Sequence, residues 1–305
     1  MTPEMDPPIP TGPDNSPPEL PRDGSWARGL PWDGGRAILF FIFAALVSIL
    51  AGILLQESLG FYISVLASEL IVFGLIPFAL SRIFDTGWME WMRKPVLGAP
   101  FWLWAISGVV AFAVVQSNLP VLFDRLVPIP KLQLEFLRRH LTADNPLDWL
   151  LVFTVGALVP GVCEEITFRG LIQTGLRRSY GPRHAVVWTG FLFAMLHLNP
   201  WNFLGLWFFG SFLGYLTERT GSVIPAIILH LLNNTFALIV FSLQTEETWA
   251  SPPEFIPWYY TIIGGVVLVF ALWRLHRLGE ITSSQPPGLS ADIPDQTGRS
   301  RELSA

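Results

Sequence analysis

Residues 147–169 read LDWLLVFTVGALVPGVCEEITFR. From 147 to 163 the only charge is Asp148, so the run approaches the roughly 20 apolar residues that carry a helix across a bilayer core. It then closes on two glutamates and an arginine. A charged side chain at mid-membrane costs roughly 2.5–3.5 kcal/mol on insertion scales, which makes intramembrane charge a functional-site hypothesis by default. An apolar helix ending in a buried polar cluster is therefore the first reading.

The rest of the chain has the same character. Of 305 residues, 51% are hydrophobic and 14% charged, with 13 Trp and 23 Phe; a soluble domain carries about 25% charge. Seven further apolar segments flank the quoted run, at about 37–55, 61–81, 100–119, 184–198, 201–217, 222–243 and 256–275. The expectation is an all-α, polytopic transmembrane helical bundle of about eight spans over residues 36–278, in contact with the lipid bilayer. Residues 1–35 hold nine of the 26 prolines and six acidic side chains, the composition of a disordered tail. Residues 279–305, polar and rich in Pro and Ser, read as a second. The first stretch lacks the basic segment and short apolar run of a signal peptide, so the first span is expected to direct insertion.

Net charge is −5 with no basic stripe, which excludes nucleic acid as a partner. The single cysteine, Cys163, reads as a small buried apolar residue. Loop Lys and Arg set the orientation: Arg28, Arg36, Arg82, Arg93, Lys94, Arg177, Arg178, Arg183, Arg219, Arg274 and Arg277 fall on one side. Both termini are accordingly expected in the cytoplasm, in the plasma (inner) membrane. Arg125, Lys131, Arg138 and Arg139 disagree. The stretch KLQLEFLRRHL containing the last three is amphipathic and is expected to lie in the interface.

Three polar clusters carry the chemistry. In the first, Glu165 and Arg169 stand four apart, on one helix face, and form a structural ion pair, while Glu164 points about 100° away. Glu164 is then free to face a cavity, as a general base must. In the second, Phe193 and His197 share a face. In the third, His230 and Asn234 lie side by side, two donors aimed in one direction. Singly, a structural histidine or an asparagine that glues helices together would explain each. Jointly, two Glu, two His, an Arg and two Asn within one bundle are accounted for more economically by a shared cavity. Its inventory suffices to hydrolyse an amide: a carboxylate and an imidazole to deprotonate water, a His–Asn pair to donate to an oxyanion.

EExxxR at 164–169, FxxxH at 193–197 and HxxxN at 230–234 resemble, in order and spacing, the three signature motifs of the CPBP family, which contains the CAAX prenyl endopeptidases and the bacterial Abi bacteriocin-processing and immunity membrane proteins. The likeness covers residues 147–243. It implies an eight-helix intramembrane endopeptidase of the glutamate type whose substrate is a membrane protein or lipid-anchored peptide. Glu164 and His197 would activate the water, His230 and Asn234 would form the oxyanion hole, and Glu165, Arg169 and Phe193 would support them. No cofactor is expected. The alternative is zinc, held by Glu164, His197 and His230 with an open position; Arg169 beside the carboxylates would compete with a cation. HExxH and GxGD are absent from the sequence. Ser211, the one candidate for a rhomboid-like serine, reads as a small residue for close helix packing. A non-proteolytic scaffold or immunity protein of the same fold is the second reading. A proton-coupled transporter is a third, weakened by the lack of an internal repeat.

Overall fold

The computed structural model describes residues 30–86, 91–92, 97–244 and 254–278. Most of both expected tails, with Arg28, Arg93 and Lys94, lies outside the described residues. Residues 30–35, which composition assigns to the first tail, are structured. Leu30–Pro31 (β1) pairs in parallel with Phe84–Asp85 (β2), and Trp32, 2% exposed, donates its indole N–H to the Leu171 carbonyl at 2.8 Å.

All eight expected segments are helical. They are α1 (Gly34–Leu59), α2 (Phe61–Ile83), α3 (Ala99–Leu126, with a turn at Ser117), α5 (Pro146–Tyr180), α6 (Pro182–Leu196), α7 (Phe203–Thr220), α8 (Ile224–Ser242) and α9 (Trp258–Arg277). The amphipathic stretch Lys131–Leu141 forms α4, which packs on the α1–α2 turn through Phe136 and His140 against Phe61. Six of the helices, all but α4, α6 and α7, are long and apolar enough to cross a membrane. The 15 residues of α6 reach about 22 Å, short of the roughly 30 Å hydrocarbon core, and α7 ends on Glu218-Arg219-Thr220. The bundle is thus all-α and polytopic, and by length and composition six of its helices are candidate spans. Large apolar side chains on the outward faces of α1 and α9, such as Leu39, Leu54, Val266 and Val269, are exposed, as suits side chains that meet lipid.

Local sequence sets the joints. Asn145 caps α5 by accepting from the Leu147 and Asp148 N–H groups. Gly181, at φ +80°, ends it and Pro182 opens α6. Wider π turns interrupt α2 at Glu69–Leu75 and α5 at Thr154–Leu158 and Ile166–Gln173. The last of these is the centre of the molecule: Phe168, Arg169, Leu171 and Ile172 are fully buried.

One polar seam joins α5 to α7. Arg169 donates to the Gly210 carbonyl at 2.9 Å, Gln173 to the Gly214 carbonyl at 3.1 Å, and Arg177 pairs with Glu218 at 2.9 Å. Successive members are four residues apart on both helices, so the two faces run in register.

Candidate active site

Glu165 and Arg169 form the expected ion pair, 2.6 Å between Oε1 and a guanidinium nitrogen, with both side chains fully buried. The same Oε1 accepts from Nδ1–H of His230 at 2.8 Å. Glu165 is therefore held from two helices, and it holds the His230 ring in return. A carboxylate only accepts, so Nδ1 of His230 carries a proton, and Nε2 becomes a donor when the ring is an imidazolium. That Nε2 lies 4.0 Å from Oε2 of Glu164.

Phe193 is the hub beneath these groups. Its ring centroid sits 5.0 Å from the Arg169 guanidinium carbon, 5.5 Å from the His230 ring and 4.6 Å from the His197 ring. A cation over an aromatic face is a favourable contact, so one phenyl group shapes the surroundings of all three motifs. His197 follows the last turn of α6, exposed, and its Nδ1 donates to the Phe193 carbonyl at 2.8 Å. In the neutral ring this leaves a lone pair on Nε2, the form a base requires. Leu198 next to it has φ +48°, a conformation rare for a residue with a branched side chain; the chain turns there instead of extending α6.

A cavity of about 330 Å³ has Glu164 and His197 on its wall, with Leu196 and Leu198 and with residues of α1 and α2. Glu164 is 7% exposed, and its Oε2 has no hydrogen-bond partner. The structure brings Glu164, Glu165, Arg169, Phe193, His197 and His230 together, directly or through Phe193. Asn234 is turned differently from the expectation. Its amide nitrogen donates to the Gly156 carbonyl at 3.2 Å, within the first π turn of α5, while His230 reaches for Glu165. The two side chains share a helix face but not an acceptor, because partly buried polar groups take the nearest available partner.

Among the described residues, no three His, Cys, Asp or Glu side chains are grouped as a metal-binding set. Ser211 stands at the crossing of α6 and α7, where a Cβ on Gly190 would come within 2.6 Å of the Ser211 backbone nitrogen; it serves close packing. Cys163 is buried, as expected.

Glu69 of α2 was not singled out from sequence, although it lines the same cavity, 8% exposed, with one carboxyl oxygen unpartnered. The signal was available: it is the only Asp, Glu, Lys, Arg or His in the 61–81 segment, and a charge inside an apolar span is a marker of function.

Residues 146–236 match the family model described as type II CAAX prenyl endopeptidase Rce1-like. No curated protein and no solved structure matches the chain. The matched segment runs from the first residue of α5 into α8 and contains all three motifs, in agreement with the CPBP resemblance. The chain is an integral, multi-pass membrane protein whose residues 146–236 are similar to the Rce1-like type II CAAX prenyl endopeptidases.

Proposed function

We propose that the protein is an intramembrane endopeptidase that hydrolyses a peptide bond of a membrane-associated or lipid-anchored substrate by a metal-free, glutamate-based mechanism. The observation that carries this is the convergence of Glu164 and His197, from different helices, on one cavity, with a free carboxylate oxygen on Glu164. In the proposed reaction Glu164 takes a proton from a water oriented by Nε2 of His197. The water oxygen bonds to the scissile carbonyl carbon. The oxyanion so formed accepts from Nε2–H of His230, as imidazolium balanced by Glu165, and from the second N–H of Asn234, whose first is held by Gly156. As the C–N bond breaks, Glu164 returns its proton to the departing amine, so protons balance.

The loop charges favour both termini in the cytoplasm, and the inner membrane of the cell as the location. The test is cleavage of a peptide library by the purified chain in detergent, comparing wild type with Glu164→Gln and His197→Ala, with and without chelator. Loss of products in both variants with survival of chelation is expected. Unchanged cleavage in the variants overturns the assignment, loss on chelation with rescue by zinc restores a metal mechanism, and no product from folded wild type favours a scaffold.

A further inference from the structure

Contacts between helix ends divide the bundle into two faces. Gly34, at the start of α1, donates its N–H to the Ser179 hydroxyl near the end of α5, 2.8 Å away, and β1 lies beside β2 at the end of α2. Arg177 pairs with Glu218 near the end of α7, and Arg219 donates to the His276 carbonyl near the end of α9 at 3.1 Å. Leu30 and Leu278, the first and last described residues, therefore belong to one face, which also receives the start of α6 at Pro182. The opposite face holds the α1–α2 turn at Gly60 and the end of α6 at His197. It also holds α4, through Phe136 and His140 against Phe61 and through the Tyr62 hydroxyl, which donates to the His140 carbonyl at 3.2 Å.

The cavity of Glu164 and His197 keeps to the α4 half of the molecule. On α1 its wall runs from Ala45, near the middle of the helix, to Gln56, near the end; on α2 it runs from Phe61, the first residue, to Phe73. Ala45 to Gln56 covers about 16 Å of helix, roughly half of a hydrocarbon core. Toward the α4 face the cavity is open: a Cβ on Gly52 would meet nothing within 4 Å, and Ile49 and Leu198 on the wall are exposed. Toward the other face it is closed. Beyond Glu164 on α5, Phe168, Leu171 and Ile172 are fully buried, and Arg169 and Gln173 tie the helix to α7. The wall carries no Lys or Arg, and its two carboxyl groups, Glu69 and Glu164, sit at the deep end. Such a wall suits an uncharged segment and repels an acidic one.

We propose that substrate reaches Glu164 and His197 through this mouth, from the α4 face, and that the substrate is an uncharged, mostly apolar segment lying on the extracytoplasmic side of a membrane-anchored protein. This rests on the hydrolytic reading of the site and on the loop charges, with Arg36, Arg82, Arg177, Arg178 and Arg183 on the chain-end face, which set that face in the cytoplasm. A peptide bond held in the cytoplasmic half of the membrane would meet closed packing instead of the cavity.

The side of the mouth is read first, without a substrate. Full-length chains carrying Gly52→Cys or, nearer the mouth, Gln56→Cys are treated with a charged, membrane-impermeant maleimide in right-side-out and in inverted membrane vesicles, and adducts are mapped by mass spectrometry. Wild type, whose one thiol is buried, is the background. Arg139→Cys on α4 and Arg183→Cys in the first turn of α6, both exposed positions, mark the two faces. Both cavity thiols should react together with Arg139→Cys, in right-side-out vesicles alone, and Arg183→Cys in inverted ones alone. Reaction of the cavity thiols from the side of Arg183→Cys, from both sides or from neither overturns the route. Reaction of the cavity thiols and Arg139→Cys in inverted vesicles alone overturns the extracytoplasmic substrate. In nanodiscs, the library peptide cleaved fastest by wild type is then the probe. A bulky maleimide on Gly52→Cys should abolish cleavage relative to the same variant unlabelled, while the same adduct on Arg183→Cys should leave the rate unchanged. Glu164→Gln separates the readings: its retention of cleavage sinks the hydrolytic mechanism, while its inactivity beside full cleavage by labelled Gly52→Cys sinks only the route.

Discussion

Replacing Arg169 by Met removes the one guanidinium at the centre of the protein while keeping a side chain of similar reach. Four contacts go: the 2.6 Å bond to Glu165, the 2.9 Å bond to the Gly210 carbonyl and the cation–π contacts with Phe193 at 5.0 Å and Phe168 at 6.0 Å. Arg169 and Glu165 both have fully buried side chains, so solvent cannot take over, and Glu165 is left with Nδ1–H of His230 alone. Breaking a buried pair from one side costs about 3–5 kcal/mol, chiefly because a charge stays buried without its partner. Arg169→Met should lose that amount. Glu165→Gln should also destabilise, leaving the guanidinium stranded. The double variant has no orphaned charge, so its loss should fall short of the sum of the single losses by about 2 kcal/mol or more, within the range seen for groups in direct contact. Arg169→Lys should be intermediate, since an ammonium on a flexible stem cannot serve Glu165 and Gly210 with the fixed fork of a guanidinium. The assay is reversible unfolding by sodium dodecyl sulfate in mixed micelles, followed by tryptophan fluorescence. An Arg169→Met protein within 1 kcal/mol of wild type, or strictly additive losses in the double variant (~0.3 kcal/mol of coupling or less), would refute the reasoning.

Three further outcomes are expected. Gly190→Ala should cost at least about 1–3 kcal/mol in the same unfolding assay, the usual penalty for overpacking, because its Cβ would press on the Ser211 hydroxyl and nitrogen and lie 2.7 Å from the Trp207 carbonyl; Gly52→Ala, with open space around it, should show no steric penalty. Thr167→Val should cost about 1 kcal/mol for the bond to Phe73 and loosen α2 from α5, read as faster hydrogen exchange in the Glu69–Leu75 turn. Peptide cleavage should stay within about twofold of its untreated rate after incubation with a strong zinc chelator, as the metal-free mechanism proposed above requires; loss of cleavage restored by added zinc would contradict this.

Much of the site is legible in the sequence because its strongest contacts are local. Glu165 and Arg169 pair at a spacing of four, as do Phe193 and His197, so helical periodicity alone puts them together. What periodicity cannot supply is the partner from another helix. The acceptor for His230 is Glu165, 65 residues away, and that for Arg169 is the Gly210 carbonyl, 41 away; a backbone carbonyl leaves no trace in composition. The direction of Asn234 depends likewise on the Gly156 carbonyl, 78 residues distant. Nor do the π turns at 69–75, 154–158 and 166–173 follow from a 3.6-residue period, although such turns gather at functional sites. The structured N-terminal boundary escaped for the same reason: the indole of Trp32 is anchored by a carbonyl 139 residues on, which a Pro-rich stretch read by composition does not disclose.

A close helix crossing in the core and the chemistry of the motifs are one arrangement. At Gly190 and Gly210, α6 and α7 approach so closely that a Cβ on Gly210 would stand 2.9 Å from the Gly190 Cα. The absence of side chains there lets the Gly210 carbonyl reach Arg169. Arg169 in turn fixes Glu165, and Glu165 fixes the ring of His230. On α6, Phe193 follows Gly190 by one turn and His197 by two, so the contact that seats the glycine also seats the phenyl ring against the guanidinium and the imidazole against that ring. Widening the crossing by a methyl group should therefore displace Nε2 of His197 relative to Glu164, and activity should fall in Gly190→Ala even in the fraction that remains folded. Catalytic geometry, on this account, is set less by the motif residues than by the small residues between them.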